Sequence, residues 1–249
     1  MNLFEKVDFR NTKKGKMLMV YGPPGSGKST FASMLAAEIG VKQAHTVVID
    51  FEIGMRDALV KAECDKTELY DLSDPTSGMG LEIAKFLRNL RDREEVKLVV
   101  LDTLSEMCWS LLRGICGTKQ ATLPMYGERK RQLKEILVEL RNLTKSGKHV
   151  LVLTHQTVGE VEGLPGYYAP EAPKNDRADV VGQFDFVGRM QVATKAAAEY
   201  LGLNEGERFI DYRQDPQQVS KCRFDMDPEK PYVFARNEDD ARTFINALT

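Results

Sequence analysis

Between Tyr21 and the start of a helical pattern the chain reads Gly22-Pro23-Pro24-Gly25-Ser26-Gly27-Lys28-Ser29-Thr30. This fits GxxxxGK[ST]. Glycines let the main chain wrap so that successive N–H groups point at one centre, and a helix N-terminus directly behind them favours an anion. Lys28 adds a cation suited to the β- and γ-phosphates of a nucleotide, and the Ser29 hydroxyl can ligate Mg²⁺. The chemistry predicted is phosphate binding by residues 22–30, with a divalent ion beside it.

Other residues can act on the far end of such a phosphate chain. Asp102 ends the apolar run Leu98-Val99-Val100-Leu101, where a carboxylate can hold Mg²⁺ or, alternatively, cap a turn. Asp50 and Glu52 follow the run Thr46 to Ile49, and either could orient or deprotonate a water. They lie two apart and point the same way in extended chain, so one of them can be structural. His155 and Gln156 end the strand-like run Val150 to Leu153; Gln156 could sense a terminal phosphate, whereas His155, with no second His or Cys near it, reads as a packing or hydrogen-bonding residue rather than a metal ligand. Lys221 and Arg223 share one side of a late strand. They suit either a charge-protected sheet edge or a pair of cations offered to a neighbouring subunit's phosphates.

These residues need a scaffold that brings strand ends together. Met17 to Tyr21, Thr46 to Ile49, Leu98 to Leu101 and Val150 to Leu153 are short aliphatic runs of the kind buried on both faces. Helical patterns lie between them, over Thr30 to Ile39, Leu81 to Arg91 and Gly127 to Lys145. Such alternation predicts an α/β fold with a mainly parallel central sheet flanked by helices and ligands at the carboxyl ends of the strands. Phe184 to Ala193, Arg208 to Tyr212 and Val219 to Phe224 follow as closely spaced strands, expected as antiparallel additions to the same sheet, before a terminal helix over Asp239 to Leu248. The whole of 1–249 is expected to be one domain. Thr157 to Val180, rich in Gly, Pro and Tyr, reads as a long irregular segment, functional or mobile.

Composition narrows the function classes. Of 249 residues, 35 are Lys or Arg and 37 Asp or Glu, which excludes a uniformly basic nucleic-acid coat. Positive charge is local: Arg113, Lys119, Arg129, Lys130, Arg131 and Lys134 face only Glu128 between positions 113 and 134, a net +5, with Tyr126 among them for base stacking. A solvated basic helix face is the plain alternative. The segment 157–180 carries Glu160, Glu162, Glu171, Asp176 and Asp179 against Lys174 and Arg177, a net −3 that makes a poor funnel for phosphates. Four cysteines without a CxxC pair point to a reduced protein without a structural zinc site. The N-terminus lacks a signal-peptide core, and the apolar runs are too short to span a bilayer. The expected location is the cytoplasm, with no membrane partner.

Taken together these residues resemble the RecA-like P-loop ATPases, and within them the phage-type RecA-core proteins of single-strand annealing and recombination. The resemblance covers about Lys16 to Phe224. It implies that Glu52 activates water, with Asp50 beside it, and that Asp102 and Ser29 hold Mg²⁺ against ATP. Gln156 would couple nucleotide state to the segment after it. Lys221 and Arg223 would act as the KxR finger pair of an adjoining subunit. It further implies a homo-oligomer, ring or filament, acting on single-stranded DNA, with single-strand-binding or recombination proteins as further partners. Neither a separate N-terminal oligomerisation domain nor an added C-terminal DNA-binding domain is expected, so a filament is not assumed. Two other readings use the same residues: a ring-forming helicase or packaging motor, and an ATP-switched module for a protein partner. A small-molecule kinase fits least, since no basic lid for a second acceptor is present.

Overall fold

The computed structural model describes residues 14–161, 164–224, 226 and 231–248. Its centre is four parallel strands: β1 (Met17–Gly22), β2 (His45–Asp50), β4 (Val96–Asp102) and β5 (His149–Val161). Where they pair with one another their middle residues are apolar because both faces are covered. The period of two along each strand sorts the side chains. Met17, Met19, Tyr21, Val47, Ile49, Val99, Leu101, Val150 and Val152 enter one core, while Leu18, Val20, Val48, Val100, Leu151 and Leu153 enter the other. Each such buried side chain contributes about 1.5–3 kcal/mol relative to exposure.

Helices α3 (Met79–Asn89), α4 (Leu104–Cys116) and α5 (Leu123–Lys145) cover the first core. The second lies under α1 (Lys28–Val41) and the terminal helix α8 (Glu238–Leu248), whose Phe244 ring stands 5.7 Å from that of Phe31. Smaller elements complete the described chain: α2 (Met55–Lys61), β3 (Thr67–Asp71), a 3-10 turn (Leu90–Asp92), β6 (Leu164–Pro170), α6 (Arg177–Gly182), β7 (Phe186–Val192), α7 (Lys195–Leu201), β8 (Arg208–Asp211), β9 (Lys221–Cys222) and β10 (Tyr232–Phe234). The strand order is β10-β8-β7-β1-β5-β4-β2-β3, with β6 paired to β5 and β9 to β7.

The α/β class and the mainly parallel sheet are as the sequence predicts, with three corrections. First, β7 joins β1 in parallel, Tyr21 opposite Arg189, and of the described strands after β6 only β8, β9 and β10 are antiparallel additions. Second, most of Thr157 to Val180 is regular. β5 runs on to Val161 and β6 returns against it, Val158 opposite Tyr168, before the short helix α6. Its Gly and Pro residues disguised the alternation of a two-stranded ribbon; Glu162 lies outside the described residues. Third, β3 is an edge strand with no fully buried residue, so it lacks the apolar run that reveals a central strand.

Candidate active site

Register sets the site. Asp50 at the end of β2 lies beside Asp102 at the end of β4, and Gly22 at the end of β1 lies beside His155 on β5. The four strand tips therefore present their side chains at one rim of the sheet, where open α/β folds bind ligands.

Gly22 is needed there because a Cβ would come within 2.6 Å of the Met190 carbonyl oxygen and 2.9 Å of Ser26 Oγ. Gly27 holds φ 99°, a region that side chains avoid, and ends the loop in the conformation that starts α1. No side chain caps that helix, so its first amides are left for an anion. Lys28 is nearly buried and donates from Nζ to the carbonyl oxygens of Gly22 and Pro23, both at 3.1 Å. Burial lowers its pKa, and the charges of Asp102 and Glu52 oppose that shift.

Ser29 Oγ donates to Asp102 Oδ2 at 2.9 Å, so hydroxyl and carboxylate converge although 73 residues separate them. Asp102 Oδ1 is buried without a partner among the described residues. Burial raises the Asp102 pKa to about 7, against the hydrogen bond from Ser29, and Glu52 and Asp50 add to the rise. A buried, unpaired carboxylate oxygen beside a serine hydroxyl is the donor set a hard divalent cation takes. The residues present therefore fit Mg²⁺, with Ser29 and Asp102 as its holders, and the uncapped amides of 25–30 fit phosphates.

The acidic pair divides its work. Asp50 is 2% exposed, and its Oδ1 and Oδ2 accept from the main-chain N–H groups of Glu52 (2.9 Å) and Met55 (3.0 Å). It is a structural clamp on the turn into α2. Glu52 faces the site. Its Oε1 accepts from Thr103 Oγ1 at 2.9 Å and lies 2.5 Å from His155 Nε2. Burial would raise its pKa, yet the hydrogen bonds from His155 and Thr103 together hold it below the usual carboxylate range.

Gln156 Oε1 accepts from Arg189 Nε at 3.2 Å, and the Arg189 guanidinium lies 3.4 Å over the Tyr168 ring on β6. Gln156 is thus tied to the hairpin that follows it. Lys221 and Arg223 are elsewhere. β9 pairs with the start of β7, and the main-chain N–H of Arg223 donates to the carbonyl oxygen of Asp185, whose carboxylate holds the first amide of β1. That is the opposite end of β1 from Gly22, about 17 Å away at ~3.3 Å per residue. Lys221 Nζ donates to the Gly182 carbonyl (3.0 Å), and Arg223 stands 3.8 Å from Asp185. Neither can reach this chain's own phosphate loop.

The basic segment is less free than its composition suggests. Arg131 is held by Glu128 (2.7 Å) and Glu135 (2.5 Å), Lys130 by Asp176, and Arg129 lies 5.3 Å over the Tyr126 ring. Arg113 and Lys119 flank the end of α4.

Three site residues escaped the sequence analysis: His155 as a partner of Glu52, Arg189, and Arg208. A Cβ at Gly27 would meet Arg208 Cδ at 2.4 Å and Nε at 2.5 Å, so this guanidinium packs on the phosphate loop. Nothing in local sequence marks them, since each arrives through strand register.

A phosphate loop after a buried central strand, with acidic residues at the tips of its neighbours, defines the P-loop NTPases, here in the RecA-like arrangement. The chain belongs to the AAA domain family AAA_24, whose profile matches residues 14–224. It is a P-loop ATPase. Among solved structures it is similar to a KaiC-like protein, PH0186, from the hyperthermophilic archaeon Pyrococcus horikoshii OT3. The two are 16% identical over 89% of each chain with a TM-score of 0.50, a likeness of fold. No curated protein sequence matches significantly. Among the described residues no helix is long and apolar enough to cross a membrane.

Proposed function

We propose that this ATPase is a Mg²⁺-dependent homo-oligomer that acts on single-stranded DNA in recombination, annealing or repair, with ATP bound between subunits. The observation that carries the oligomer is the separation of the two halves of the site. Lys28, Ser29, Asp102 and Glu52 gather at one rim, while Lys221 and Arg223 sit at the other end of the sheet. A finger pair so placed can serve only a neighbour's nucleotide.

In this reading the amides of 25–30 and Lys28 grip the triphosphate, and Glu52 takes a proton from the water that attacks in line. Mg²⁺, when bound by Ser29 and Asp102, supplies neutralising charge for the β- and γ-phosphates. The nucleoside would extend toward the cavity of about 510 Å³ that Thr30, Ala58, Lys61 and Asn237 line. Gln156, clamped by Arg189 on Tyr168, would carry nucleotide state into the hairpin, and the hairpin would meet the DNA.

A second reading is an ATP-switched module for a protein partner. It is favoured by the capture of Lys130 and Arg131 by acids, which leaves less free charge for nucleic-acid phosphates. ATP hydrolysis measured with and without single-stranded DNA, beside sedimentation in both nucleotide states, separates the two. Stimulation of an assembled form is expected from the first reading, and a DNA-indifferent monomer refutes it.

A further inference from the structure

The Glu52 carboxylate is not free to turn. Oε1 takes two hydrogen bonds, from Thr103 Oγ1 at 2.9 Å and His155 Nε2 at 2.5 Å, whereas Oε2 accepts none among the described residues. The donors come from two different strand ends, so together they fix the rotamer and leave one oxygen as the acceptor for a water.

A carboxylate only accepts, so Thr103 spends its single hydroxyl proton on Glu52 and His155 carries a proton on Nε2. Ser105 Oγ lies 3.0 Å from Thr103 Oγ1 and must therefore donate to it. Ser105 in turn accepts from the His155 main-chain N–H at 3.3 Å. Thr103 Oγ1 also accepts from Glu106 N at 3.3 Å, which anchors the ring to the first turn of α4. The circuit Glu52, Thr103, Ser105, His155 closes with each hydroxyl proton used once.

His155 is also where the hairpin is fastened. Its carbonyl accepts from Glu171 N at 2.7 Å, and its neighbour Thr154 donates from Oγ1 to the Glu171 carbonyl at 2.8 Å. The next residue, Gln156, pairs with Pro170 and is held by Arg189. The same residue thus touches Glu52 with its ring and the hairpin base with its main chain.

We infer that His155 is the positioning residue for Glu52, and that the β5–β6 hairpin communicates with the hydrolytic carboxylate through it. This rests on Glu52 being the base. A displacement of about 1 Å at such a group is enough to cost 10²-fold in rate, so a shift of the hairpin base changes turnover while nucleotide affinity stays put.

The test uses the full chain with ATP and Mg²⁺. His155→Phe keeps the ring volume and removes the Nε2 donor; kcat should fall about 10- to 100-fold, with KM and the Kd for ATP within about twofold. His155→Gln offers an amide N–H at similar reach and should stay within about fivefold of wild type. Arg189→Ala releases Gln156 and should alter kcat in the wild-type background but not in His155→Phe, since effects along one relay do not add. Wild-type turnover in His155→Phe, failure of His155→Gln to rescue, or additive effects with Arg189→Ala would each overturn the inference. Should His155→Phe not fold, Thr103→Val probes the other donor and must show the same loss confined to kcat; an unchanged kcat there counts against the proposal. Undiminished hydrolysis in Glu52→Gln would instead remove the base assignment itself, whatever the His155 variants do.

Discussion

Gly27→Ala perturbs the phosphate loop in two ways that can be separated. The backbone at this position has φ 99°, and holding an alanine there costs about 1–3 kcal/mol. The new Cβ also meets Arg208 at Cδ (2.4 Å) and Nε (2.5 Å), but this is the outer part of a long, exposed side chain that can swing aside. The backbone should therefore account for nearly all the loss. Taking about 2 kcal/mol, a chain of this size should melt ~4–8 °C lower. ATP affinity should fall by at least about tenfold as the amides of 25–29 lose their common aim. The double variant Gly27→Ala/Arg208→Ala tests the partition by thermal melting and nucleotide binding. It should melt within about 1 °C of the sum of the single variants, since removing Arg208 relieves only the cheap contact. If Arg208→Ala instead restores wild-type melting to Gly27→Ala, the cost lay in the clash and the backbone argument is wrong.

Glu52→Gln should bind ATP as wild type does and lose about 10²–10⁴-fold in turnover; a drop in affinity equal to the drop in rate would contradict the assignment. Asp50→Asn should lower stability by about 1–3 kcal/mol, because one of two buried main-chain donors loses its acceptor, and a variant that melts normally but does not hydrolyse ATP would show that the clamp role is incomplete. Mixing Lys28→Ala with Arg223→Ala should recover hydrolysis that neither variant has alone, as a finger in trans requires, and an inactive mixture that still assembles would exclude it. His149 is held neutral: burial, helped by Lys16 and Lys42, lowers its pKa to about 4, and its Nδ1 accepts from Lys16 N at 3.2 Å. The unfolded chain then binds the extra proton first, so this contribution is complete above about pH 6.5 and is lost as pH falls toward 4, about 3 kcal/mol in all. His149→Asn, which keeps an acceptor for Lys16, should flatten that part of the stability profile, and an unchanged slope in denaturant titrations at pH 4.5 to 7 would refute it.

Residues 22–30 were legible because their work is local. Main-chain amides do the binding, so the necessary glycines, the lysine and the hydroxyl must stand at set distances in one stretch of chain. The central strands were legible for a related reason: burial on both faces leaves an apolar run that needs no partner to be recognised. Asp50 and Glu52 were not separable in that way, since a period of two treats them alike. Only the fold turns Asp50 to the amides of Glu52 and Met55, and brings Thr103 and His155, 51 and 103 residues away, onto Glu52. Arg189 reaches Gln156 and Tyr168, and Arg208 the phosphate loop, through the register of β7 beside β1 and of β8 beside β7, a relation that no stretch of sequence contains. What the sequence by itself determined was the grip on the nucleotide; tertiary structure decided which carboxylate is held ready to act and what holds it, because those hydrogen bonds join strand tips that are neighbours only after the sheet has formed.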